Sequence, residues 1–225
     1  MTRSTPADPP VIAIDGPSAS GKGTVALHVA RELRFHYLDS GSLYRLVALA
    51  AMREGVDLAD GEELARLARG LAVRFEGAEI NLGAERVTEA IRTEECSLAA
   101  SRVAAQPAVR QALLGRQQRF RQTPGLVAEG RDMGSVVFPD AVLKVFLTAS
   151  PEARADRRHK QLKDKGITAT LFGLMQDLRE RDARDATRGV APLKQSPGAR
   201  RLDTTSLSAA QAAALIVGWY RGANG

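Results

Sequence analysis

Residues 11–24 read VIAIDGPSASGKGT, an apolar run that breaks into glycines and a lysine. The stretch 11–15 has the length and continuity of a strand buried on both faces. Gly16 and Gly21 with Lys22 follow at the spacing G-x-x-x-x-G-K. A helical pattern comes next, with Val25, Val29, Ala30 and Leu33 on one face. Strand, glycine-rich loop and helix in that order make a phosphate-gripping loop. Its glycines let main-chain N–H groups turn inward around phosphate oxygens, the helix N-terminus adds a favourable dipole, and Lys22 adds positive charge at the β and γ phosphates. Gly16, Pro17, Ser18, Ala19, Ser20, Gly21, Lys22, Gly23 and Thr24 are therefore the expected contacts of a nucleoside triphosphate. Gly23 stands where a magnesium-ligating hydroxyl is usual. Thr24, one place later, or waters and phosphate oxygens would complete a metal shell, and the sequence assigns no metal ligand.

Outward from the loop, apolar runs alternate with helical patterns. Strands are expected at 35–39, 126–129, 142–148 and 201–205. Helices are expected at 42–54 (ended by Gly55), from Asp60 with Glu63 to Gly70, at 94–105, 107–122, 169–187 and 208–220, and from Ser150 and Pro151 to about 165, where Gly166 breaks the pattern. Between them, 71–90 reads as small strands joined at Gly77 and Gly83, a compact β insert. Strands alternating with helices of this length predict an α/β fold with a parallel five-stranded sheet covered on both faces.

The 225 residues suffice for one large domain or a domain with a small insert. No apolar stretch approaches the roughly 20 residues of a membrane span. Residues 1–10 lack an apolar signal core and read as a mobile tail, and Cys96 is the single cysteine. A reducing cytoplasm and no membrane association are expected. The net charge of +6 and a pI near 9.9 suit a polyanionic partner, nucleotide or nucleic acid. Arginines gather between 154 and 201.

In open α/β sheets ligands sit beyond the carboxyl ends of the strands. LDSGSLYR places Asp39, Ser40 and Arg45 there after the second strand, and EGRDMG places Arg131 and Asp132 after the third. RERDARDATR sets Arg181, Asp185 and Arg188 on one helical face, with Arg184 nearby. Each group also has a plainer reading: a local Arg131–Asp132 ion pair at a turn, and a solvated face laced with i, i+4 pairs.

Together these residues resemble the bacterial cytidylate kinases, within the nucleoside monophosphate kinase superfamily. The resemblance runs from about Val11 to Arg221 and rests on GPSASGKGT, LDSGSLYR, EGRDMGSVVFPDA and RERDARDATRGVAPL in that order. It implies a P-loop kinase fold with a nucleotide-acceptor region at about 40–105 carrying the β insert, and a short helical lid at about 155–190. It implies phosphorylation of CMP and dCMP by ATP with Mg²⁺. Ser40, Arg45, Arg131 and Arg188 would hold the acceptor phosphate, Ser101, Arg110 and Asp132 would read cytosine, and Arg181 and Asp185 would hold the ribose. Lys22, Arg131, Arg181 and Arg188 would serve catalysis. Small-molecule substrates, no nucleic-acid partner and a monomer are the corresponding expectations. The hairpin EINLGAERVTEA is shorter than in some relatives, and Glu129 stands where some have Asp.

The residues themselves carry part of this. A carboxylate such as Asp132 accepts from the N4 amino group of cytosine and opposes the carbonyl of uracil. Planar arginine forks suit phosphate. The competing readings are a kinase for another monophosphate such as UMP, a P-loop switch or motor ATPase, and a nucleic-acid binder. No N-K-x-D motif favours a GTP switch, no standard Walker B strand favours a motor, and 4% aromatic residues give few stacking platforms for nucleic acid.

Overall fold

The computed structural model describes residues 8–76, 79–164 and 166–223. The expected turn at Gly77 and most of the expected tail lie outside them. Five strands, β1 (Val11–Asp15), β2 (His36–Asp39), β6 (Leu126–Gly130), β7 (Leu143–Thr148) and β8 (Arg200–Asp203), pair in parallel in the order β2-β6-β1-β7-β8. The continuous apolar character of β1 follows from its two covered faces. Val11 and Ala13 join one core layer, with Leu38, Leu126 and Ala128. Ile12 and Ile14 join the other, with Val127 and Val145. Central parallel strands are buried on both sides, so alternation with polar residues disappears.

Helix α1 (Lys22–Leu33) returns from β1 and packs with the C-terminal α8 (Ala209–Ala223) over the second layer. Trp219 lies partly buried there, with Arg200 over its ring at 5.3 Å. The first layer is covered by α2 (Ser40–Glu54), α3 (Gly61–Gly70), α4 (Glu94–Val103) and α5 (Pro107–Gln118). Asp60 caps α3 by accepting from Glu63 N; Glu63 itself turns to Arg66, so the reciprocal half of the capping box is not made. Helices α6 (Pro151–Lys163) and α7 (Leu171–Thr187) pack on each other. No helix among the described residues is long and apolar enough to cross a membrane.

The insert is a separate antiparallel sheet of β3 (Val73–Glu76), β4 (Glu79–Leu82) and β5 (Glu85–Arg86). The last strand stops at Arg86, short of residue 90, the expected end of the insert. Thr88 Oγ1 accepts from Ile80 N at 2.9 Å, so a side chain closes the ladder, and a 3-10 turn (Ala90–Arg92) follows. Helix α5 stops at Gln118 rather than 122. Its last turn tightens to i→i+3 bonds, and Phe120 swings edge-on to Phe75 of β3 at 5.5 Å. A π-helical turn (Met133–Val137) follows β6, where the sequence carries no periodic signal. Such turns recur beside functional sites.

That turn is anchored by Asp15 at the end of β1. Its two carboxylate oxygens accept from Met133 N at 2.8 Å and Gly134 N at 2.9 Å. Burial pushes the Asp15 carboxyl up to about 6 against the pull of those amides. Asp15→Asn turns one acceptor into an NH₂ donor facing a buried main-chain donor. The expected loss is about 1–3 kcal/mol of stability, read as a lower urea midpoint at unchanged slope. A midpoint equal to wild type would show that the carboxylate does not hold the turn.

Candidate active site

The phosphate loop runs from the end of β1 to the start of α1 and is clamped through its carbonyls. Pro17 O accepts from Lys22 Nζ at 3.2 Å, Ser18 O from Arg154 Nη1 at 3.2 Å, and Ser20 O from Arg157 Nη1 at 2.9 Å and Thr204 Oγ1 at 3.1 Å. Gly21 is the N-cap of α1 and supplies no side chain to the first amides, which have no partner inside a helix. A helix end with free amides, a rim of outward carbonyls and a lysine is an anion cradle. Gly16 must be glycine, because a Cβ there would stand 2.0 Å from Leu147 O. Ala19 takes a left-handed φ of 56°, the kind of strain found at ligand sites. At Gly23 a Cβ would sit 3.1 Å from Glu129 Oε1. The small residue after the lysine thus leaves room for a carboxylate from the neighbouring strand.

The cleft in front of the loop has a volume of about 280 Å³. Ser18, Ala19, Gly21, Lys22, Gly23 and Thr24 line it, as do Ser40, Arg45, Ser101, Arg110, Arg131, Asp132, Arg181, Asp185 and Arg188. Of the residues expected from sequence, Gly16, Pro17 and Ser20 are outside its lining and belong to the support of the loop. β1, β2 and β6 bring the groups together because their carboxyl ends stand side by side. Asp39, the N-cap of α2, accepts from Ser42 N at 3.2 Å and lies 3.5 Å from Arg45. Burial pushes its carboxyl up, but Arg45 and the bonds from Ser42 hold it below its ordinary value.

The ion pairs of Arg131 and Asp132 reach across the fold. Arg131 Nε donates to Asp185 Oδ2 at 2.8 Å and Nη2 to Ser18 Oγ at 2.8 Å, joining β6, α7 and the phosphate loop. Asp132 pairs with Arg110 of α5. The local-turn reading of Arg131–Asp132 therefore fails, and the solvated-face reading fails for Arg181, Asp185 and Arg188, while Arg184 keeps to it in an exposed i, i+4 pair with Glu180. Asp185 is buried, and Arg188 donates from Nε to Ala191 O at 2.5 Å while lying 3.9 Å from Asp185. Burial would raise the Asp185 carboxyl, yet Arg131 beside it keeps it low. Arg181 is lowered to about 10 by burial and by Arg131.

Lys22 Nζ stands 3.9 Å from Glu129. Burial, then the Arg131 charge, pushes the ammonium below its ordinary value; burial, then Asp39, pushes the Glu129 carboxyl above its own. Tyr37 OH donates to Glu129 Oε1 at 3.4 Å.

Several donors in and around this cleft are buried and without a partner among the described residues: Arg181 Nε, Arg188 Nη2, Arg154 Nε and Ser101 Oγ. An unpaired buried donor costs about 1–3 kcal/mol, so a basic cleft that carries several is built for an anionic occupant. Sequence reasoning missed the support residues: Asp15, Tyr44 (whose ring lies 5.6 Å from Arg110), Arg154, Arg157 and Asp182. Arginine density between 154 and 201 was the only signal in the sequence for Arg154, Arg157 and Asp182, and Asp15 and Tyr44 had none.

A parallel α/β sheet, a phosphate loop at its carboxyl edge and an arginine-lined cleft facing that loop define a P-loop kinase. Similarity to known proteins narrows the class. The family model for cytidylate kinase matches residues 12–221, and the chain belongs to the cytidylate kinase family. A cytidylate kinase of Polynucleobacter necessarius subsp. necessarius (strain STIR1) is 59% identical over 212 residues, 94% of this chain and 99% of that one. That of Chromobacterium violaceum is 59% identical over 211 residues, 94% and 95% of the two chains. That of Ralstonia pickettii (strain 12J) is 57% identical over 216 residues, 96% and 94%.

Proposed function

We propose that the chain transfers the γ-phosphoryl group of ATP to CMP and dCMP, giving CDP and dCDP with ADP. The observation that carries this reading is the set of buried, unpartnered donors Arg181 Nε, Arg188 Nη2 and Ser101 Oγ in one cleft with Asp132 and Arg110. Phosphate oxygens supply acceptors to the guanidinium groups. Cytosine supplies an N4 donor to Asp132 and ring acceptors to Arg110. Uracil would set its carbonyl against the Asp132 carboxylate.

The chemistry needs no general base. The acceptor oxygen is already largely anionic at neutral pH, since the second phosphate pKa is about 6. It attacks the γ-phosphorus in line, and the bond to the bridging oxygen breaks to release ADP. Lys22, Arg131, Arg181 and Arg188 neutralise charge on the transferring group, while Ser40 and Arg45 hold the acceptor phosphate and Asp185 the ribose. No group of three or more His, Cys, Asp or Glu is arranged to cage a metal among the described residues. Beside the loop the protein presents the Thr24 hydroxyl and the Glu129 carboxylate. This fits Mg²⁺ held mainly by phosphate oxygens and water, the usual state of that ion; when bound, it supplies charge at the phosphates. Residues 40–105 serve as the acceptor region in this reading, and residues 155–190 as a lid that excludes water.

An ADP-release assay with Mg-ATP against a panel of monophosphates tests the reading. CMP and dCMP are expected to be turned over far faster than UMP. Equal use of UMP would overturn the base assignment, and no turnover with any monophosphate would overturn the kinase reading.

A further inference from the structure

The rim of the phosphate loop is not empty of charge. Asp182, on α7, directs its carboxylate across to the loop. Oδ1 accepts from Ser18 N at 3.4 Å, and Oδ2 pairs with Arg154 Nη1. Arg154 is buried, with its side chain 8% exposed; the same Nη1 also donates to Ser18 O at 3.2 Å, and its Nε has no partner among the described residues. Ser18 Oγ accepts in turn from Arg131 at 2.8 Å. A carboxylate held by a loop amide and a guanidinium occupies the chemistry of a phosphate oxygen. Asp182 is half-hidden, its side chain 24% exposed, and α7 also carries Arg181 and Asp185 of the cleft.

We infer that Asp182 is a positioning residue standing in for a donor phosphate oxygen, and that arrival of the triphosphate displaces it and frees Arg154 to bind the incoming phosphate. This rests on the ATP-dependent reading above. The exchange couples donor binding to α7, so an incomplete ligand leaves Arg154 paired with Asp182 and away from the phosphates. The cost is a weaker apparent donor affinity. If the carboxylate holds the loop in about four molecules of five, the apparent affinity is about one fifth of the intrinsic one.

Asp182→Asn keeps an acceptor for Ser18 N and removes the charge. Isothermal titration of this variant is expected to give a dissociation constant for a non-hydrolysable ATP analogue about fivefold below that of wild type. ATP hydrolysis without CMP is expected to rise, with the KM for CMP unchanged. A purely structural role would instead weaken donor binding and lower the melting temperature. Tripolyphosphate, which carries no base, separates the two readings: it should also bind the variant about fivefold tighter, whichever nucleotide the enzyme uses. Equal or weaker binding of tripolyphosphate by the folded variant would overturn the inference. Should that variant not fold, an amide and guanidinium ¹H–¹⁵N spectrum of the wild-type protein titrated with tripolyphosphate answers instead. Displacement requires the Ser18 amide and Arg154 Nε resonances to shift together as tripolyphosphate binds, and an Arg154 Nε resonance that stays in place while the Ser18 amide shifts would refute it.

Discussion

Lys22→Ala is expected to lower kcat by about 10²–10³-fold, the usual cost of removing one preorganised group from the developing charge. Lys22 opens α1, and its Nζ is held by Pro17 O at 3.2 Å and by Glu129 at 3.9 Å. Burial and Arg131 push this ammonium down, so without a ligand its charge is poorly compensated. Phosphate oxygens reverse that balance, and the interaction grows as charge moves onto the leaving ADP. The loss should therefore appear in kcat, with the KM for CMP little changed. Stability should change little, because Glu129, already raised by burial, can take up a proton when its partner is gone. Steady-state ADP release with a thermal melt on the same sample checks both statements. Activity within tenfold of wild type would remove Lys22 from the phosphate site.

Asp132→Ala is expected to reduce the CMP-over-UMP preference in kcat/KM by about 10–100-fold, the 1–3 kcal/mol that one good base contact carries. ATP binding should be far less affected. The variant also leaves Arg110 buried without its carboxylate, and breaking such a pair costs about 3–5 kcal/mol. Its melting temperature should therefore fall by several degrees. Asp132→Asn separates the two effects, since its amide oxygen can still accept from Arg110 while its NH₂ can donate to the uracil carbonyl. That variant should gain UMP activity, measured with both nucleotides in one coupled assay. An unchanged preference in both variants would exclude Asp132 from reading the base.

The parallel sheet and the phosphate loop were legible because each rests on short-range rules. Central strands are apolar throughout, as at Val11 to Ile14, and the glycines, Lys22 and following helix stand at fixed spacing. The cleft residues beyond the loop were legible from their positions at strand ends and from the family resemblance. The insert was less so. Its strands are short and mostly exposed, and a side chain, Thr88, closes the last rung where periodicity carries no signal. The π-helical turn after β6 depends on Asp15, more than a hundred residues away along the chain.

By itself the sequence determined the fold class, the glycine-rich loop with Lys22 and the family, since propensity, patterning and motif spacing are properties of neighbours along the chain. Only the tertiary structure decided who pairs with whom. Asp132 lies next to Arg131, yet it binds Arg110, while Arg131 reaches Asp185 and Ser18. Asp182 crosses to Ser18 and Arg154 rather than pairing along its own helix. With 32 lysines and arginines against 26 acids, nearly every cation has a plausible neighbour in sequence. Charge–charge energy falls with distance in space and grows as water is excluded. The selection among them was therefore made where β6, α5 and α7 converge on the loop.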